Sequence, residues 1–139
     1  MADHLSKQRR SENMRRIRST GMKPEILVRR LVHSLGFRFR LHRKNLPGKP
    51  DLVFVRRRKI IFVHGCFWHQ HQRCKAGRLP KSNRGYWRPK LARNVERDAE
   101  HLRALKSDGW KVLVIWECET KDGNKVRRRL LKFLGETAS

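Results

Sequence analysis

The apolar run Val112 to Trp116, preceded by Trp110, is the tightest constraint on the fold of this chain. A strand that is apolar at consecutive positions presents those side chains to both faces of a sheet, so both faces need a cover. The flanking sequence supplies the covers. Pro24 to Leu35 predicts a helix: Pro24 suits a first helical position, Leu27, Leu31 and Leu35 recur at i, i+4 and i+8, and Gly36 is a natural stop. Pro89 to Asp108 predicts a second helix, with Leu91, Val95, Leu102 and Leu105 on one face and Gly109 at its end. A third, from about Lys125 to Leu134, turns Val126, Leu130, Phe133 and Leu134 inward.

Three more strands lie between the first two helices. Phe37, Phe39 and Leu41 alternate with Arg38, Arg40 and His42, the period of a half-buried strand. Asp51 to Val55 and Ile60 to His64 flank a basic tip, Arg56 to Lys59, and read as a hairpin. The order helix, three strands, helix, strand, helix predicts an α/β fold around a four-stranded mixed sheet. A symmetric hairpin, with Arg57 and Arg58 at the tip, sets Asp51 opposite His64. The crossover through the Pro89 helix makes the third and fourth strands parallel, so Cys66 and Cys118, which follow them, meet at one edge.

Charge sets the partner. The 139 residues contain 36 Lys and Arg against 12 Asp and Glu, a net charge of +24 that calls for a polyanion, nucleic acid first. No apolar run approaches the roughly 20 residues of a bilayer span, and no signal-type segment follows the basic N-terminus, so a soluble cytosolic protein is expected. Residues 1–22 read as a basic arm that contacts DNA, and residues 23–139 as a single domain. Three cysteines without secretory context imply free thiols or a metal site.

The chemistry gathers between Cys66 and Cys74. Cys66, His71 and Cys74 have the spacing C-x4-H-x2-C, and Cys118 completes a Cys3His set of the kind that closes around structural zinc. Ordinary buried thiols beside a surface histidine are the plainer alternative. His64 and His69 flank that loop, and Asp51, one of few acids, opens an apolar strand where solvation alone would hardly choose it. A carboxylate there can hold magnesium for phosphodiester hydrolysis while a nearby histidine moves protons. Glu25, second in its helix, is explained locally as a dipole-stabilising acid. Phe67, Trp68, Tyr86 and Trp87 are interleaved with Arg73, Lys75, Arg78, Lys81, Arg84, Arg88 and Lys90, a mixture suited to distorted nucleic acid. Trp110 and Trp116, in an apolar strand, are expected in the core, and Arg127 to Arg129 on a solvated helix face.

Taken together, Ser11 to Arg15, Lys23-Pro24-Glu25, Leu46 to Asp51, His64 to His69, Asn94 to Asp98, Gly109-Trp110 and Trp116-Glu117-Cys118 closely resemble the bacterial very short patch repair (Vsr) endonucleases. The resemblance implies a restriction-endonuclease-like core, and nicking of one strand of duplex DNA on the 5′ side of the thymine in a T:G mismatch, the product of 5-methylcytosine deamination. It implies that Asp51 and the main-chain carbonyl of Val63 bind catalytic magnesium, and that His64 stands where related nucleases carry a lysine. His69, assisted by Glu25, is implied as general acid/base, and Cys66, His71, Cys74 and Cys118 as ligands of structural zinc. Phe67, Trp68 and Trp87 match an aromatic wedge, Met14 a minor-groove contact, and Lys90 and Asn94 residues facing the mismatched pair. A monomer linked in function to a cytosine-5 DNA methyltransferase is the implied context. A T:G pair stacks poorly and is cheap to open, so a wedge turns deformability into selectivity. Two competing functions share parts of this pattern: a restriction-type nuclease acting on matched DNA, and a non-enzymatic zinc-stapled DNA-binding module.

Overall fold

The computed structural model describes residues 23–41, 43, 45–72, 74 and 77–135. Its elements run α1 (Pro24–Ser34), β1 (Arg40–Leu41), β2 (Leu52–Phe54), β3 (Lys59–His64), α2 (Arg84–Ser107), β4 (Lys111–Trp116), a 3₁₀ turn (Glu117–Lys121) and α3 (Gly123–Leu134). The strands form one sheet in the order β1-β2-β3-β4, antiparallel except for the parallel β3–β4 pair. The mixed four-stranded α/β sheet expected from the order of elements is therefore present.

Both faces are covered. Leu27, Val28, Leu31 and Val32 of α1 and Val126, Leu130 and Leu134 of α3 pack on one face, against Leu52, Phe54, Ile61 and Ile115. Leu102 and Leu105 of α2 pack on the other, with Val53, Ile60, Phe62 and Trp110. In β4, Leu113 and Ile115 join the first cluster and Val112 and Val114 the second, which is what the continuous apolar run required. Each fully buried aliphatic side chain contributes roughly 1.5–3 kcal/mol to this sandwich.

The hairpin turns earlier than its symmetric reading. Leu52 pairs with Ile61, Val53 with Ile60 and Phe54 with Lys59, so the pairing slips by two residues and Asp51 precedes the ladder on the Phe62 side rather than opposite His64. A slip of two preserves every side chain's face, so the layers survive it. The basic tip has a structural use. Arg57 donates to the Leu134 carbonyl at 2.9 Å, Lys59 to the Phe133 carbonyl at 2.6 Å, and Arg58 to the Asp108 carbonyl at 2.7 Å. These cations cap the C-termini of α3 and α2, where helix carbonyls lack partners and the dipole favours positive charge.

Four expectations need correction. β1 is two residues long rather than five, although Phe37 is buried as the alternation required. α2 begins at Arg84, not Pro89; Pro89 lies inside the helix, and the carbonyl it deprives belongs to solvent-facing Gly85. Val95 is exposed rather than inward. Arg129 is no solvated charge: its guanidinium makes a two-oxygen contact with buried Glu119, 2.6 Å to Oε1, and Glu119 also accepts the Trp116 N–H at 3.0 Å. Removing this buried acid leaves the Trp116 N–H unpaired and leaves Arg129 with the Val114 carbonyl at 3.3 Å and solvent. Glu119→Ala should therefore lower stability by about 2 kcal/mol in urea unfolding, the Arg129 side chain being 36% exposed and its share of the pair screened accordingly.

Candidate active site and metal centre

Two adjacent centres form where β3 and β4 end. The parallel pair runs in register to His64 opposite Trp116, and Cys66 and Cys118 each follow two residues later. Beyond β3 the chain turns tightly, with the His69 N–H on the Gly65 carbonyl at 3.1 Å and the His71 N–H on the Cys66 carbonyl at 2.9 Å. That turn folds His69 back over His64. The two imidazoles stack, centroids 3.9 Å apart and planes 8° apart.

His69 has a carboxylate partner, Asp98 of α2, whose Oδ2 lies 2.6 Å from His69 Nδ1. An acid on Nδ1 fixes that nitrogen as the proton donor and leaves Nε2 to give or take a proton. His64 is nearly buried. Burial first, and the neighbouring His69 ring second, push the His64 imidazole down to about 4, with only partial opposition from the Asp98 carboxylate. It is neutral at pH 7.

Asp51 stands just ahead of β2 and accepts the Val63 N–H at 2.7 Å through Oδ2. Asp51, Val63, His64, His69 and Asp98 line one cleft of about 200 Å³ with Gly48, His101 and Leu102. At about 30 Å³ per water, that is room for a phosphate group and several waters. Glu25, half-buried in the first turn of α1, is not among the lining residues, and the carboxylate on His69 is Asp98.

Gly48 shapes the wall. It has φ +78°, and a Cβ there would meet His101 Nδ1 and the Phe62 ring at 3.1 Å; Lys49 beside it is also left-handed, at φ +50°. Glycine takes that conformation freely, whereas Lys49 stores strain there, a common property of functional loops.

The second centre is a closed set of soft donors. Cys66, His71, Cys74 and Cys118 offer ligand atoms that all lie within 4.8 Å of one another. His71 Nδ1 is 3.4 Å from Cys118 Sγ and 3.7 Å from Cys66 Sγ, where a tetrahedral ion of zinc's bond lengths would set them about 3.6 Å apart. The Cys118 N–H points to Cys66 Sγ at 3.4 Å, the supporting contact that thiolates attract. Burial pushes the Cys66 thiol up to about 12; a cation among these ligands would reverse that preference. Gly77 closes the loop where a Cβ would stand 2.6 Å from the His71 carbonyl. Trp116, expected in the core, instead stacks on His71 at 4.2 Å and meets His64 edge-on at 5.2 Å, joining the two centres.

Beside the cleft, Phe67, Trp68 and Trp87 form a mutual edge-to-face cluster with centroids 5.3 to 5.6 Å apart, extended by Tyr86. Trp68 and Tyr86 are exposed. Lys90 Nζ sits 5.6 Å from the Trp68 ring, and Asn94 donates to the Trp68 carbonyl at 3.2 Å. Six residues chosen from the sequence, Phe67, Trp68, Tyr86, Trp87, Lys90 and Asn94, are thus brought together, on the loop after β3 and the first half of α2. Met14 lies outside the described residues.

A sequence profile described as DNA mismatch endonuclease Vsr matches residues 2–75. The chain belongs to that family. Three curated Vsr relatives extend the likeness over nearly the whole chain. The type II nicking enzyme V.XorIIP of Xanthomonas oryzae pv. oryzae is 51% identical over 96% of this chain and 98% of its own. The type II nicking enzyme V.NmeAIP of Neisseria meningitidis is 41% identical over 98% and 96%. The DNA mismatch endonuclease Vsr of Escherichia coli is 39% identical over 91% of this chain and 80% of its own.

In this Vsr-family chain three site residues escaped the sequence reading: Asp98, His101 and Trp116. Asp98 carried a signal, being a scarce acid four residues after Asn94 and so on the same helical face. His101 and Leu102 follow one turn later on that face.

Two outcomes follow from this geometry. Gly48→Ala should cost about 1–3 kcal/mol in chemical unfolding, through its left-handed φ and the contact with His101. The depressed His64 makes the unfolded chain bind a proton from pH 6.5 downward that the folded protein refuses until about 4, so stability falls as pH falls through that window. His64→Asn should lose less stability than the parent between pH 7 and pH 4.5, by on the order of 2 kcal/mol. Equal losses would show that this imidazole titrates normally.

Proposed function

We propose that this protein is a magnesium-dependent endonuclease with a restriction-endonuclease-like core and a structural zinc ion, which nicks one strand of duplex DNA on the 5′ side of the thymine in a T:G mismatch. One observation carries the reading: Asp51, His64 and the His69–Asp98 pair line a single cleft beside an exposed aromatic cluster flanked by Lys90. The relatives named nicking enzymes support single-strand cleavage, and the one named a mismatch endonuclease supports the substrate.

Asp51 and the Val63 carbonyl would hold magnesium, which when bound acidifies a coordinated water and offsets charge on the phosphoryl oxygens. His69 would exchange the proton of the attacking water or of the leaving 3′ oxygen at Nε2. Asp98, hydrogen-bonded to Nδ1, orients that ring and stabilises it when it carries the proton. His64, kept neutral by burial, occupies the position of a lysine in related nucleases and supplies an uncharged nitrogen to the cleft. Glu25 is proposed to assist from α1. Cys66, His71, Cys74 and Cys118 would hold zinc, and their spacing fits it. Phe67, Trp68 and Trp87 would wedge beside the mismatch, with Lys90 and Asn94 facing the pair and Met14 reaching the minor groove.

The reading is tested with T:G and T:A duplexes of one sequence, incubated with magnesium. A nick in the T:G duplex alone is expected; equal cutting of both would favour a restriction-type enzyme. Asp51→Ala should reduce nicking at least about a thousand-fold while binding persists. A protein that cleaves no duplex would leave a DNA-binding module. One equivalent of zinc per chain and a melting temperature lowered by chelation are expected; metal-free protein indifferent to chelators would remove the structural ion.

A further inference from the structure

The cleft and the aromatic cluster leave a second concentration of charge unused. The helix α3 buries Gly123, Val126, Leu130 and Leu134 against the sheet. Opposite that face lie Lys125, Arg128 and Lys132, continued by Lys121 of the preceding 3₁₀ turn, and all four are exposed. The spacing of three and four residues from Lys125 to Arg128 to Lys132 places those three in one row on α3, with Lys121 just ahead of the helix across the extended Asp122.

No described acid pairs with any of them. Glu119 is taken by Arg129, Asp122 caps α3 through the Asn124 and Lys125 N–H groups, and Glu117 accepts the Cys66 N–H. Like charges at these spacings repel weakly, so a row without an acidic partner among the described residues is stabilised by an external anion. The row also points away from the cleft. The Leu102 and Asp98 face of α2 packs on one side of the sheet and α3 on the other.

We infer that the α3 row is a second, sequence-independent binding surface for the phosphate backbone of a DNA duplex, separate from the duplex in the cleft. The inference takes from the proposed function only the identity of the polyanion. Lys125 to Lys132 spans about 10 Å of helix, which matches about three phosphates of one strand at 3.4 Å of rise each. The row contains no aromatic side chain, which disfavours single strands that need stacking platforms. None of the exposed large apolar residues lies on α3, which disfavours insertion into a membrane surface. A protein with two duplex surfaces can hold one DNA segment while sampling another, which shortens a search for rare sites.

The test is capture of a second duplex. Full-length protein bound to an immobilised 14-bp T:G duplex is offered a labelled matched 30-bp duplex, and compared with a Lys121→Gln, Lys125→Gln, Arg128→Gln, Lys132→Gln variant. A control variant, Arg40→Gln, Arg56→Gln, Arg103→Gln, Lys106→Gln, removes equal charge from other exposed positions. The parent and the control should capture the label and the row variant should lose at least tenfold. The salt dependence of log K for matched duplex should flatten in the row variant by about 3, at about 0.9 per lost phosphate contact. Nicking of the 14-bp duplex should be unchanged in all three: a parent that does not nick would count against the proposed function alone, whereas loss of nicking in the row variant and not in the control would put the row on the duplex in the cleft and overturn the inference. Capture equal in all three, loss shared equally by the control, strict one-to-one stoichiometry in the parent, or preference of the row for polyglutamate over duplex would each overturn the inference.

Discussion

The parallel pairing of β3 with β4 is the contact on which the rest of this molecule depends. Parallel neighbours end at the same edge, so whatever follows each strand is delivered to one place however far apart it lies in sequence. Here the register runs to His64 opposite Trp116, and the delivered residues are Cys66 and Cys118. The pairing is fixed by apolar side chains on both faces, Ile60, Phe62, Val112 and Val114 on one and Ile61, Leu113 and Ile115 on the other. A register shift of one would exchange the two sets and bury neither well. The geometry of the donor cluster is thus set by packing some distance from it.

The loop from Gly65 to Gly77 is too polar to hold itself in place. It is pinned by the cysteine–histidine cluster, by Trp116 stacked on His71, and by the close approach of Gly77 to the His71 carbonyl. Two sets of side chains hang from it in different directions. His69 folds back onto His64 and Asp98, while Phe67 and Trp68 reach outward to Trp87. Anything that loosens the cluster therefore disturbs the cleft and the aromatic surface together. On the proposed reading this ties recognition of a distorted base pair to assembly of the catalytic groups.

Much of this was legible in the sequence, for identifiable reasons. Leu27, Leu31 and Leu35 at helical spacing, the stops at Gly36 and Gly109, and the unbroken run ending at Trp116 are local signals of layer and direction, and the meeting of Cys66 with Cys118 followed from connectivity alone. What could not be read depended on contacts between distant parts. The start of α2 was hidden because Pro89 mimics a first helical residue, while the preceding turn is held by Trp87 packing on Phe67 and Trp68. Arg129 looked like one of three solvated arginines until Glu119 was placed beneath it. Trp116 read as core because a strand of apolar residues gives no hint that its last member faces two histidines. Asp98 sat in a recognisable motif, but its partnership with His69 exists only once the Gly65 turn folds that ring back.

On the proposed reading, a net charge of +24 poses a problem at a site that moves protons, because cations nearby resist further protonation. The stacked histidines meet it in different ways. His64 gives up protonation altogether, buried beneath its neighbour and held down to about 4. His69 keeps a carboxylate, Asp98, at hydrogen-bond distance on the nitrogen facing away from exchange. One ring is thereby fixed as a neutral wall while the other retains a local counter-charge against the surrounding cations. Two identical side chains 3.9 Å apart are differentiated by burial, which holds His64 down, and by the Asp98 carboxylate on His69 Nδ1; on the proposed reading it is the ring with the carboxylate that exchanges the proton.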